Sequence, residues 1–160
     1  MSLSQKAQQT LNEYMSNPLI CMMKNFKHHG RTSTYEHCVN VTNISCRILN
    51  KFKHKDETME NLIIGAMLHD FYLYDWHTGR LRPEGLHGFC HPKIALKLAT
   101  SFFNLNHKQQ NIIRSHMFPA TLLHPPTCKE AWIVTLVDKY CAIMEYIDGY
   151  KYNKTKKQAL

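Results

Sequence analysis

The chain has 160 residues, 44% of them hydrophobic and 20% charged, with a formal charge of +8 that leaves eleven histidines uncounted. That length and composition fit one globular domain with a sizeable core, and no apolar run approaches the roughly 18–20 residues a bilayer span requires. The opening Met1-Ser2-Leu3-Ser4 carries no signal-peptide apolar stretch, so a cytoplasmic location with no membrane partner is expected.

The pattern reads as helices throughout. Residues 1–30 are expected to form an N-terminal helical segment packed on the core, interrupted near Pro18. Ser33-x-x-Glu36 is a capping box, and it opens a helix from Thr34 to about Phe52. Asp56 can cap a helix reaching about Tyr72. The stretch Asp75 to Cys90 holds Gly79, Pro83, Gly85 and Gly88 and reads as a long loop, a kind of segment that is often functional. His91-Pro92 is read as the opening of the next helix, with Pro92 at its first position. Asn106-x-x-Gln109 caps a short helix to Met117, and Thr127-x-x-Glu130 is a second Ser/Thr-type box opening a long helix to about Ile147. Gly149 reads as a stop signal, leaving 148–160 as a basic C-terminal tail and 31–147 as the main domain. The expected class is an all-α, single-domain helical bundle.

Six cysteines occur without any Cys-x-x-Cys pair, so reduced thiols are expected rather than disulfides or a thiolate zinc site. The basic balance favours anionic partners without choosing among phosphates, nucleic acid and membrane surfaces.

Polar residues intrude on the apolar helix faces. Residues three, four and seven apart share a face. His37 aligns with Val41, Ile44 and Ile48; His69 with Leu62 and Ala66; Asp70 with Ile63, Ala66 and Met67. His116 aligns with Ile112 and Ile113, and Asp138 with Ala131, Val134, Cys141 and Ala142. Each alone could be a hydrogen-bonded core residue. Together they are five ligand-type side chains on four helices, and unpaired buried charge is costly. One divalent cation would satisfy several at once, and three histidines with two aspartates suit Zn, Mn, Fe or Co. His87 and His91, at the end of the long loop, could build an open side of such a site.

The order His37, His69-Asp70, His91, His116, Asp138 resembles the HD-domain metal-dependent phosphohydrolases. The doublet after the apolar run Leu62 to Leu68 carries most of the resemblance, which covers roughly Arg31 to Tyr146. The resemblance implies an HD-type bundle with a metal site between core helices, and hydrolysis of a phosphate mono- or diester, with a nucleotide or small phosphorylated metabolite as substrate. It implies one or two divalent transition ions, Fe, Mn, Zn, Co or Ni, with Mg as a further candidate. His37, His69, Asp70 and Asp138 would hold the first ion. Asp70 would bridge to a second, with His91 and His116 as its other ligands.

Around that set, Asp75 and His77 are candidates for positioning water or protonating the leaving oxygen. His87, Arg80, Arg82, Arg31 and Lys139 are candidate substrate contacts, since basic groups bind phosphate. Tyr72, Trp76 and Phe89 could stack on a base. Two alternatives remain: an HD-fold di-iron oxygenase, which shares the ligand pattern, and a noncatalytic nucleic-acid or nucleotide-binding module. Clusters Lys24-Lys27-Arg31 and Lys51-Lys53-Lys55 would serve the latter, but no nucleic-acid motif accompanies them.

Overall fold

The computed structural model describes residues 3–78 and 85–158, with side chains to residue 152. The described residues form helices α1 (Gln5–Ser16), α2 (Pro18–Cys21), α3 (Thr34–Leu49), α4 (Asp56–Leu68), α5 (His87–Phe102), α6 (His107–Ser115) and α7 (Lys129–Gln158). Short 3-10 turns cover Met22–Asn25 and Trp76–Thr78. No strand occurs among the described residues.

Local chemistry fixes several boundaries. Asn17 accepts from the amides of Leu19 and Ile20, and Pro18 stands at the first position of α2. The boxes Ser33/Glu36 and Asn106/Gln109 are both reciprocal, each satisfying two otherwise orphaned amides. Asn61 on α4 extends the second box: its Oδ1 accepts from Asn106 Nδ2 at 2.7 Å and from Gln109 Nε2 at 2.9 Å. The start of α6 is thereby tied to α4 through a buried polar network.

Several elements differ from the sequence reading. Asp56 is the first residue of α4 and Lys55 the cap, without a side-chain bond. The acid still lies in the first turn, where the helix dipole favours it. Helix α4 ends at Leu68, not near Tyr72, because His69 Nδ1 bonds the Ala66 carbonyl at 2.7 Å and Phe71 N turns back to Leu68 O. Helix α6 stops at Ser115 for the same reason, with His116 Nδ1 on the Ile113 carbonyl at 2.8 Å. Helix α5 begins at His87, so Pro92 sits inside it rather than at its start. Helix α7 starts at Lys129, after Thr127, and runs through Gly149. There Gly149 provides room instead of a stop: a Cβ on it would stand 2.6 Å from Gly30 Cα.

The core centres on α4, which packs against α1, α3 and α6, while α7 closes the bundle against α3 and α6. Val41 and Leu49, Leu62 and Ile63, Ile112 and Ile113, and Ala131 and Val134 meet in one buried cluster. Ala7 and Leu11 of α1 join it. The α4–α6 contact is close because of Gly65, where a Cβ would stand 2.7 Å from Ile112 Cβ. All six cysteines are free. No helix among the described residues is long and apolar enough to cross a membrane.

Candidate metal centre

Gly65 lies one turn before His69, and Ile112 one turn before His116. Their tight contact brings the C-terminal ends of α4 and α6 together, with the His69 and His116 rings 4.9 Å apart. Helix α3 supplies His37 and helix α7 supplies Asp138. Helix α5 supplies His91, and Asp70 follows directly on His69. All six side chains are buried, Asp138 the most exposed of them at 6%.

Asp70 lies between two groups. Its Oδ1 is 3.3 Å from His91 Nε2 and 3.4 Å from His116 Nε2. Its Oδ2 is 3.7 Å from His69 Nε2 and 3.9 Å from His37 Nε2. Asp138 Oδ1 completes the second group, 3.1 Å from His37 Nε2 and 3.6 Å from His69 Nε2.

The ring orientations test whether a cation fits. His69, His91 and His116 each place Nδ1 2.7 to 2.8 Å from a backbone carbonyl, of Ala66, His87 and Ile113 respectively. A carbonyl only accepts, so Nδ1 carries the proton and Nε2 is left as a lone pair in the neutral ring. Two of those lone pairs converge, with His91 and His116 Nε2 2.7 Å apart, and that of His69 faces His37 Nε2 at 3.3 Å. Converging lone pairs repel unless a proton or cation lies between them. Asp70 Oδ1 is buried without a hydrogen bond, which is also costly. A divalent cation in each group would satisfy these atoms, and backbone-tethered Nδ1–H groups are the usual outer support of metal-bound histidines. Metal-type groupings among the described residues include His37-His69-Asp70 and Asp70-His91-His116.

Without a metal, the cluster distorts its own protonation. Burial opposes charge on His37, but hydrogen bonds to Asp138 and Glu145 outweigh it and push it up to about 9. Burial holds His116 down to about 4 against the pull of Asp70. Burial opposes the charge of Asp70 and Asp138 too, yet the surrounding imidazoles keep both carboxyls well below the ordinary range. Strong perturbation in one cluster beside a cleft is typical of functional sites.

A pocket of about 380 Å³ opens on this cluster, lined by His28, Asp70, Trp76, His87, His91, Asp138 and Lys139 among others. His87 stacks on His91 at 4.6 Å and on Trp76 at 4.9 Å, and its Nδ1 meets Tyr74 Oη at 3.0 Å. Lys139 is drawn inward: Nζ bonds the His116 carbonyl and lies 3.1 Å from Asp138 Oδ2. Asp75 and His77 are exposed and pair with each other at 3.1 Å, outside the pocket lining. Arg31 stacks on Tyr152 at 4.2 Å and lines a different cleft, so it does not join the metal cluster. Arg80 and Arg82 lie outside the described residues. Tyr72 is buried against His87 and His91, whereas Phe89 is exposed.

Two residues that the sequence reading passed over also belong here, His28 and Glu145. His28 Nε2 lies 3.2 Å from Asp70 Oδ2, and Glu145 contacts both His28 and His37. Glu145 follows Asp138 by seven residues on one face of α7, so helical spacing could have found it. His28 sits in a loop, where no periodicity points inward.

Fold and site together define an all-helical bundle with a buried histidine–carboxylate centre able to hold divalent metal. The chain belongs to the HD domain family, whose model matches residues 34–143. Proteins of this family bind divalent metals and are generally metal-dependent phosphohydrolases, with some noncatalytic members. Neither a curated protein nor a solved structure matches the chain.

Proposed function

We propose that this protein is a metal-dependent phosphohydrolase that cleaves a phosphate mono- or diester of a nucleotide or small phosphorylated metabolite. The observation that carries the reading is Asp70, whose two oxygens face two separate histidine groups at the base of one pocket. Such a carboxylate suits a bridge between two ions. His37, His69 and Asp138 would complete the first site, and His91 and His116 the second. A metal pair, when bound, supplies a water of lowered pKa and positive charge for the phosphoryl oxygens.

The chain's own residues do the rest. The Nδ1–H to carbonyl bonds of His69, His91 and His116 hold the rings so that little reorganisation accompanies ligand binding. Lys139 places a fixed positive charge on the pocket wall beside Asp138, suited to an anionic substrate. Trp76 and His87, stacked on each other, line the same pocket and form part of its wall.

The test is a hydrolysis screen over nucleotides and generic phosphate esters with Mn, Co, Ni, Fe, Zn and Mg. Metal-dependent release of phosphate or of a phosphomonoester is expected, abolished by Asp70→Ala. Full turnover in a metal-stripped protein would overturn the reading. Oxygen consumption by the iron-loaded protein with no phosphate release would replace it with the oxygenase alternative.

A further inference from the structure

Glu145 is buried on α7, on the same face as Asp138. Its Oε2 lies 3.1 Å from His28 Nδ1, and His37 Nδ1 lies 3.1 Å from Oε1 and 3.2 Å from Oε2. The two rings stack, with centroids 3.7 Å apart and planes inclined by 25°. Both therefore turn Nδ1 to one carboxylate and Nε2 to the centre. His37 Nε2 meets Asp138 Oδ1 at 3.1 Å, and His28 Nε2 meets Asp70 Oδ2 at 3.2 Å.

Two arrangements could produce these distances: a further cation held by His28, His37 and Glu145, or a carboxylate accepting two N–H bonds. The ring geometry decides between them. An imidazole binds a metal along the in-plane lone pair of its nitrogen, at about 2.1 Å. Two stacked rings inclined by only 25° hold their in-plane lone pairs in separate layers, so one ion at bonding distance from both nitrogens would lie out of the plane of at least one ring. N–H donation from both rings to one carboxylate has no such difficulty, since each oxygen can accept more than one hydrogen bond.

We propose that Glu145 is a positioning residue of the metal centre, a clamp that holds His37 and His28 with Nδ1–H outward and Nε2 inward. The same stacking keeps His28 off the ion that His37 would ligate, so His28 turns its Nε2 to Asp70 Oδ2 at the pocket wall.

The backbone supports this clamp. The loop before α3 closes through an antiparallel bridge between Lys27 and Ser33 and a bond from His28 N to Thr32 O at 2.8 Å. Gly30, at its tip, takes a left-handed φ of 57°. Its Cα fits against Gly149, one turn beyond Glu145, where any side chain would collide. Two glycines thus let the loop press on α7 and lay His28 over His37.

The inference stands independently of the reaction the centre performs, because its test reads metal binding. Zinc and cobalt are titrated into the metal-free full chain and into Glu145→Ala, Glu145→Gln and His28→Ala, with chelator competition, ion stoichiometry and the Co(II) absorption spectrum as readouts. Glu145→Ala should weaken binding about 10–100-fold, the usual effect of removing an outer partner of a metal ligand. Glu145→Gln, which keeps the shape and one acceptor, should lose less, and both should alter the cobalt spectrum with unchanged stoichiometry. His28→Ala, which removes a partner of Asp70 Oδ2 but no ligand, should weaken binding less than Glu145→Ala and leave the ion stoichiometry unchanged. If Glu145→Ala fails to fold, the isosteric Glu145→Gln carries the test, its fold checked by circular dichroism. Unchanged affinity and spectrum in a folded Glu145→Gln would overturn the proposal. So would the loss of one ion equivalent in that variant, which would reveal a cation at His28-His37-Glu145. Loss of one ion equivalent in His28→Ala would also overturn it, by making His28 a ligand.

Discussion

Gly65→Ala tests whether the spacing of α4 and α6 sets the metal centre. A Cβ there would stand 2.7 Å from three atoms of Ile112, namely Cβ, Cγ2 and Cδ1. Rotating χ1 can move Cγ2 and Cδ1, but Ile112 Cβ is fixed to the backbone. Ordinary contact begins at 3.4 Å, and 3.4 minus 2.7 is 0.7, so the two helices must part by about 0.7 Å. Alanine in place of glycine inside a helix gains about 1 kcal/mol, while overpacking costs about 1–3 kcal/mol. The net loss is up to about 2 kcal/mol, or a fall in Tm of about 4–8 °C for a chain of this size. The consequence for metal is larger in kind. His69 and His116 lie one turn beyond the collision, and ligand positions tolerate only about 0.2 Å. The assay is calorimetric unfolding of the metal-free variant together with zinc affinity by chelator competition. In a double-mutant cycle, Ile112→Ala removes two of the three opposing atoms, so the combined cost should be less than the sum of the single costs. A Gly65→Ala protein with wild-type Tm and wild-type zinc affinity would refute the reasoning.

Asp70→Asn, which keeps the shape but not the charge, should lower metal affinity by more than about 100-fold; inductively coupled plasma spectrometry of the purified variant checks this. Added zinc should stabilise the wild-type protein by about 2.7 kcal/mol at a free concentration 100 times Kd, and EDTA should reverse the shift in Tm. The metal-free protein should be most stable near pH 6.5. His37, raised to about 9, contributes stability that is full below the unfolded histidine value of 6.5 and is lost as pH rises through about 9. His116, lowered to about 4, acts in the opposite sense: it is neutral in the fold and stability falls as pH drops from 6.5 through about 4. Differential scanning fluorimetry across pH 4–10 reads both limbs, and a Tm that climbs steadily through pH 9 would contradict this account. Bound metal keeps His37 neutral, so the alkaline decline should flatten in the loaded protein.

Much of the architecture was legible in the chain because its signals are local. Ser33-x-x-Glu36 and Asn106-x-x-Gln109 close within one turn, and both form as reciprocal boxes. Helical spacing placed His37, His69, Asp70, His116 and Asp138 on apolar faces, and the fold buries all five. Helix ends were less legible where a side chain competes for a carbonyl, as His69 and His116 do at the ends of α4 and α6. Gly149 illustrates the limit of a local rule: a glycine can end a helix or admit a neighbour, and only the approach of Gly30 selects the second. Arg31, adjoining the capping box of α3, is drawn to Tyr152 at the far end of the chain and leaves the site.

Periodicity and capping act over a few residues, so the order of residues alone specifies helices with carboxylates and imidazoles on inward faces. Tertiary structure alone decided which of those groups meet. Asp70 faces two histidine groups, and Glu145 reaches two stacked rings, through contacts between helices far apart in sequence. Those contacts depend on backbones approaching at Gly65 and at Gly30 with Gly149, distances that no local pattern encodes.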